Sequence, residues 1–196
     1  MADLSGTYRL GPAAGRVLVK TSRAGLAAKV GHDLELEVTR WSADITVPDA
    51  DHGGLAAATI SAELDLGSLV VRTGSGGARP LTDSDRRDIE STMRKVLPAG
   101  ESATATFRSA RIIPSAAGGA IEGTLTLNGR SQPARLQATN PAPGRYRGTV
   151  PVIQSAFGIK PYSGFFGALK LRDEVAAEFE VDLNHAVSEE SAPSAG

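Results

Sequence analysis

Apolar and polar residues alternate along most of this chain. In GHDLELEVTR, residues 31–40, His32, Leu34, Leu36 and Val38 share one parity, and Asp33, Glu35, Glu37 and Thr39 share the other. A two-residue period is that of a strand with one dry face and one wet face. The period recurs at Ile60, Ala62, Leu64 and Leu66, at Ile121, Gly123, Leu125 and Leu127, and at Val175, Ala177, Phe179, Val181 and Leu183. Shorter runs occupy 17–21, 103–113, 134–138 and 146–153. Asn128-Gly129, between TLTL and RSQPARL, predicts a hairpin turn, because both residues tolerate positive φ. The pattern predicts an all-β, antiparallel protein of about eight strands, either a sandwich or a closed barrel.

One segment breaks the period. In TDSDRRDIESTMRKVLP, Thr82 is placed to cap a helix, with Asp85 three residues on. Ile89, Met93, Val96 and Leu97 then fall on one face, and Pro98 stops the run. This predicts one amphipathic helix over an end or side of the barrel. RTGSGGARP, residues 72–80, reads as the loop that enters it.

Composition narrows the function. The chain has 196 residues, room for one domain with a sizeable core. We assign residues 1–187 to that domain and the small, polar residues 188–196 to a disordered tail. The formal charge is −1 and the cations are scattered, which argues against a nucleic-acid surface and against a polybasic membrane patch. With no cysteine there is no disulfide, thiolate metal site or thiol nucleophile. MADLSGTYRL has no basic segment followed by an apolar one, so the expectation is a cytoplasmic protein with no signal peptide and no membrane span.

Motifs of catalysis are missing. There is no G-x-S-x-G elbow and no Walker or Rossmann glycine pattern. Asp83-Ser84-Asp85 begins like a calcium loop, but Arg87 takes the third ligand position and no glycine follows. His32, His52 and His185 form no pair at metal-ligand spacing, and no metal is expected.

The apolar faces hold many small residues, among them Ala105, Ser109, Gly123, Ala134, Ala138 and Ala177, and aromatics are 5% of the chain. Small inward residues either leave room for an extended hydrocarbon or admit the helix or a facing sheet. Pattern alone leaves the two open.

Three stretches together resemble the YceI family: DIESTMRKVLPAGESATATFRSARI at 88–112, IEGTLTLNGRSQPARLQA at 121–138, and SAFGIKPYSGFFGALKLRDEVAAEFEVDL at 155–183. GHDLELEVTRW resembles the strand near the family's beginning, and the likeness runs from about residue 5 to residue 185 in family order. The resemblance implies a lipocalin-like barrel of eight antiparallel strands. It also implies an apolar tube for a polyisoprenoid or similar amphiphile, and commonly a homodimer. Many members are periplasmic, and the expectation of a chain with no export signal departs from them. No catalytic residue is carried over. The expected contacts are the inward positions Leu34, Leu36, Ala105, Phe107, Leu125, Ala134, Leu136, Tyr146, Phe157, Ala177 and Phe179, together with His32 and the loop residues Tyr162, Phe165 and Phe166.

His32 shares the dry parity and is the titratable group to explain. It is an anchor for a quinone, phenol or phosphate head, a backbone-bonded core residue, or a ring turned outward by a bulge near Gly31. The backbone-bonded reading is favoured. KPYSGFFGALK carries Tyr162, Phe165 and Phe166 between glycines, and reads equally as an aromatic lid, a static plug or a dimer contact. Trp41 reads as core; Tyr8 and Tyr146 either place a hydroxyl inside the barrel or pack at an edge, the second reading being favoured.

The leading expectation is a non-enzymatic carrier or sequestering protein for a long-chain amphiphile. No cofactor is expected; the bound molecule would be an isoprenoid, a quinone or a fatty acid. The rivals are a lipid isomerase or hydrolase with His32 as general base, and a filled barrel acting as an interaction scaffold. The first needs a second polar group within reach of the ring. The second needs large side chains meeting in the interior.

Overall fold

A computed structural model describes residues 4–97 and 103–188. Strands β1 (Gly6–Leu10), β2 (Gly15–Thr21), β3 (Arg23–Ala24), β4 (Asp33–Val38), β5 (Trp41–Val47), β6 (Thr59–Asp65) and β7 (Leu69–Ser75) precede helix α1 (Asp83–Val96). After it come β8 (Thr104–Ser115), β9 (Gly118–Leu127), β10 (Arg130–Ala142), β11 (Arg145–Ile153), β12 (Ser163–Gly164), β13 (Leu169–Leu171), β14 (Glu174–Asp182) and β15 (Val187–Ser188). The protein is all-β in class, as the alternation predicts. No helix among the described residues is long and apolar enough to cross a membrane.

The main sheet runs β15-β1-β5-β6-β8-β9-β10-β11-β14-β2-β4-β7, and β12-β13-β3 form a small second sheet. The expected eight strands become twelve in the main sheet, and its order ends at two edges, β15 and β7, instead of closing. Periodicity marks the faces of a strand and not its edge partners, so closure was not readable from it. The sheet curls instead, helped by register shifts at Glu35/Leu36 against β7, Ser109/Arg111 against β9 and Thr139/Ala142 against β11.

Local chemistry sets the elements. Leu34, Leu36 and Val38 of β4 are buried while Asp33, Glu35 and Glu37 stay partly exposed, and Val38 is completely enclosed. Asn128 and Gly129 take φ of 53° and 68°, and Leu127 pairs with Arg130 across the tight turn. Arg72 to Ser75, expected in the loop, extend β7 instead. Ser188, expected in the tail, pairs with Tyr8; residues 189–196 lie outside the described residues.

Thr82 caps α1 in a reciprocal box. The Asp85 N–H donates to Thr82 Oγ1 at 3.2 Å, and the Thr82 N–H donates to Asp85 Oδ2 at 2.8 Å. The expected stop, Pro98, lies outside the described residues; at Leu97 the backbone is already extended. α1 also satisfies part of the β7 edge. Glu90 Oε1 accepts the Val71 N–H at 2.9 Å, and Arg86 donates to the carbonyls of Val71 and Arg72 at 3.2 and 2.6 Å. Buried residues from eight of the strands and the segments between them make one core, against which Ile89, Met93, Val96 and Leu97 pack from α1 and the segment after it.

Candidate functional site

The inward faces do not fill the space they enclose. They surround a cavity of about 970 Å³, at the upper end of what ligand pockets occupy. Strand parity builds its wall: Val17 and Val19 from β2, Leu34 and Leu36 from β4, Ala43 and Ile45 from β5, and Ala62 and Leu64 from β6. The opposite wall has Ala105 and Phe107 from β8, Leu125 from β9, Ala134 and Leu136 from β10, Val150 from β11, and Ala177 and Phe179 from β14. α1 adds Ile89 and Met93.

Twelve of the expected contacts line this cavity: His32, Leu34, Leu36, Ala105, Phe107, Leu125, Ala134, Leu136, Tyr146, Tyr162, Ala177 and Phe179. Phe157 does not. It ends a short turn, Gln154–Phe157, and is buried in the surrounding core at 3% exposure. Phe166 is turned fully into solvent. The side chain of Phe165 lies outside the described part. Trp41 is buried and also reaches the wall.

The small residues act in two ways. Ala105, Ala134, Ala138 and Ala177 leave open space. Gly123 instead receives a ring, since a Cβ there would stand 2.6 Å from Phe107 Cζ, and the Phe179 ring covers Gly148, its register partner, in the same way. Both phenyl groups thus lean on the wall and leave the bore free. Ser109 does not line the cavity; its Oγ accepts the Ile60 N–H at 2.8 Å.

Polar groups gather at the rim beside α1. The His32 Nε2–H donates to the Arg79 carbonyl at 2.8 Å, which is the backbone-bonded arrangement. The imidazole also lines the cavity, so it is a rim residue and not a closed core one. No bulge turns it outward: Gly31 is ordinary extended backbone and the register shift lies further on, at Glu35/Leu36. The Arg79 guanidinium makes two bonds to Asp85, of 2.9 and 3.0 Å. The Thr82 N–H, the Thr82 hydroxyl and Arg79 together hold the Asp85 carboxyl down at about 2.

Two further polar groups sit in the wall. Burial and the neighbouring Tyr8 phenol push the Tyr146 hydroxyl above its ordinary value, against a bond from Asn140. Tyr8 itself donates to the Leu4 carbonyl at 2.9 Å. Thr21 is the residue the sequence reading missed. It is 8% exposed, it lines the cavity, and its Oγ1 has no hydrogen-bond partner among the described residues. The clue was present, because Val17, Val19 and Thr21 share one parity, the same pattern that singled out His32. His52 and His185 are exposed, and no three His, Cys, Asp or Glu side chains converge on a metal site among the described residues.

A curled antiparallel wall around an apolar bore is the construction of a barrel-like β fold with an internal cavity. The family comparison agrees with that class. The YceI-like domain matches residues 8–183, and the chain belongs to that family. Among solved structures it is similar to Burkholderia cenocepacia BcnA, at 19% identity and a TM-score of 0.53, over 85% of this chain and 94% of that one. That likeness shows the shared fold. No curated protein matches the chain.

Proposed function

We propose that this protein binds one long-chain amphiphile, isoprenoid-like or another lipid, and carries or sequesters it without catalysis. The observation that supports this is the cavity of about 970 Å³ with its largely apolar wall. Each methylene moved from water into such a wall contributes about 0.8 kcal/mol, from which the ordering of the chain must be subtracted. The open bore argues against a filled scaffold. The imidazole of His32 is bonded to a backbone carbonyl and not to a carboxylate that would orient it as a base.

The polar groups favour an uncharged head. The cavity wall and rim include Asp85, Asp88 and Glu178 against the single guanidinium of Arg79, which Asp85 already engages. A phosphate would meet more negative charge than positive there. A carbonyl or hydroxyl oxygen would instead satisfy Thr21 Oγ1 deep in the wall. Native mass spectrometry and solvent extraction of the purified protein, with titration of a fluorescent fatty probe, test the reading. One lipid per chain and saturable uptake are expected; the absence of both would overturn it.

A further inference from the structure

Val187, Ile153 and Leu55 are exposed at scattered points, but the two most exposed large apolar side chains, with a third beside them, stand together at one place on the surface. Leu26 is 99% exposed, Phe166 113% and Val30 51%. They belong to two loops that the small sheet holds together. Ala24 pairs with Lys170 and Arg23 with Leu171, and the Ala27 N–H donates to the Ala168 carbonyl at 2.9 Å. Leu26 and Phe166 therefore project from neighbouring tips. Phe166 also holds φ of 52° and ψ of 33°, a left-handed conformation that a bulky side chain rarely adopts. Both its backbone and its exposure are unfavourable in the free protein, which marks it for contact with something apolar.

Basic side chains gather at the same place, which their scatter along the sequence does not show. Residues 22–32 and 158–172 contain Arg23, Lys29, Lys160, Lys170 and Arg172 and no acidic residue; Asp33, Asp173 and Glu174 lie just beyond these stretches, and Asp33 pairs with Arg23 at 3.8 Å. Lys29, Lys160 and Lys170 are exposed and make no ion pair among the described residues. The patch is also continuous with the bore: Val30, Tyr162, Leu169 and Leu171 lie on these loops and line the cavity.

We infer that the tips of these two loops are a docking surface for an anionic lipid bilayer. Leu26 and Phe166 insert among the acyl chains, and the three lysines meet the headgroups. Apolar insertion flanked by lysines is the arrangement that holds a peripheral protein at a membrane interface. Docked in this way, the mouth of the bore faces the source of the ligand, so a lipid tail passes between bilayer and cavity along Val30 and Leu169 without crossing water.

Vesicle sedimentation tests this with the whole chain. Wild-type protein is expected to bind phosphatidylglycerol vesicles, bind phosphatidylcholine vesicles weakly, and be released by salt. Leu26→Ser with Phe166→Ser should lower binding by at least about tenfold. Lys29→Gln, Lys160→Gln and Lys170→Gln together should lower binding to the anionic vesicles on the order of a hundredfold and abolish the lipid preference. Both sets lie on the surface, and thermal melts confirm folding. Uptake of a fatty probe from dilute solution should be unchanged in both, while transfer from vesicles slows. That separates the inference from the carrier reading: loss of uptake with vesicle binding retained overturns only the latter. The inference is overturned if wild type fails to bind phosphatidylglycerol vesicles, or if the serine variant binds as well as wild type. It is also overturned if sedimentation velocity shows that the serine pair dissociates a dimer while vesicle binding is absent, because the face then belongs to a second copy of the chain.

Discussion

Replacing Thr21 by Val should stabilise the empty protein and weaken the loaded one. The two side chains have nearly the same shape, so the change exchanges a hydroxyl for a methyl and little else. In the folded chain that hydroxyl oxygen is buried and has no partner among the described residues. Mutational data put the burial of an unpaired hydroxyl at about 1–3 kcal/mol. A water is a poor substitute, because it needs two to four polar neighbours and the adjoining wall is Val19 and Leu34. Thr21→Val should therefore add about 1–2 kcal/mol, and for a chain of this size each kcal/mol raises Tm by about 2–4 °C. The sign reverses for a ligand whose oxygen meets Thr21. One neutral hydrogen bond is worth about 0.5–1.5 kcal/mol, so affinity should fall roughly two- to tenfold. Calorimetry on delipidated protein reads the first effect. Paired titrations with a long-chain ketone and a plain hydrocarbon of equal length read the second, and only the ketone should respond. Thr21→Ser, which keeps the hydroxyl, should keep the ketone preference. A lower Tm for delipidated Thr21→Val would refute the reasoning, since the hydroxyl would then have a partner in the fold.

Ala134→Phe and Ala177→Phe should block probe uptake with little change in Tm, because the rings enter open space; a loss of about 1–3 kcal/mol with uptake retained would mean a packed interior. His32→Gln should keep a donor for the Arg79 carbonyl, fold normally and leave hydrocarbon affinity unchanged. A loss of about 1–2 kcal/mol confined to ligands with polar heads would instead make the imidazole an anchor. The helix start should be acid-sensitive. Asp85 titrates at about 2 in the fold against 3.8 for the free group, so its support is complete above about pH 4 and is lost as pH falls through 2. Far-ultraviolet dichroism should show α1 fraying across that window, and Asp85→Asn should remove the transition. Thr82→Ala, which breaks the other half of the box, should cost about 1 kcal/mol at neutral pH.

What was readable in the sequence was whatever depends on neighbours along the chain. Alternation put Leu34, Leu36, Ala134, Leu136, Ala177 and Phe179 on the inward side, and all six line the cavity. Asn128-Gly129 and the Thr82–Asp85 pair specified a turn and a cap because those devices are complete within four residues. Partners distant in sequence were not readable. Nothing in residues 187–188 says that they pair with Arg9 and Tyr8, and nothing in Phe157 says that its turn places it behind the wall and not in it. Parity also fails where a strand shifts register. Ala105 and Phe107 face inward on odd positions, but beyond the shift at Ser109/Arg111 the inward residues are Ile112 and Pro114. Thr21 was legible and overlooked: a threonine at the end of a short apolar run looks like a strand terminus until the far wall is in place.

The joint between β7 and α1 has a consequence for how this barrel changes over time. Elsewhere the wall is a ladder, where adding or deleting one residue turns every later side chain to the opposite face. At the joint the wall is a helix tethered to a strand edge by Glu90 and Arg86, two long side chains. Substitutions at Ile89 or Met93 therefore widen or narrow the bore without moving any strand out of register. The helix is the replaceable panel of the container, and descendants of this chain can acquire a bore of different girth by altering that one face while the rest of the wall stays as it is.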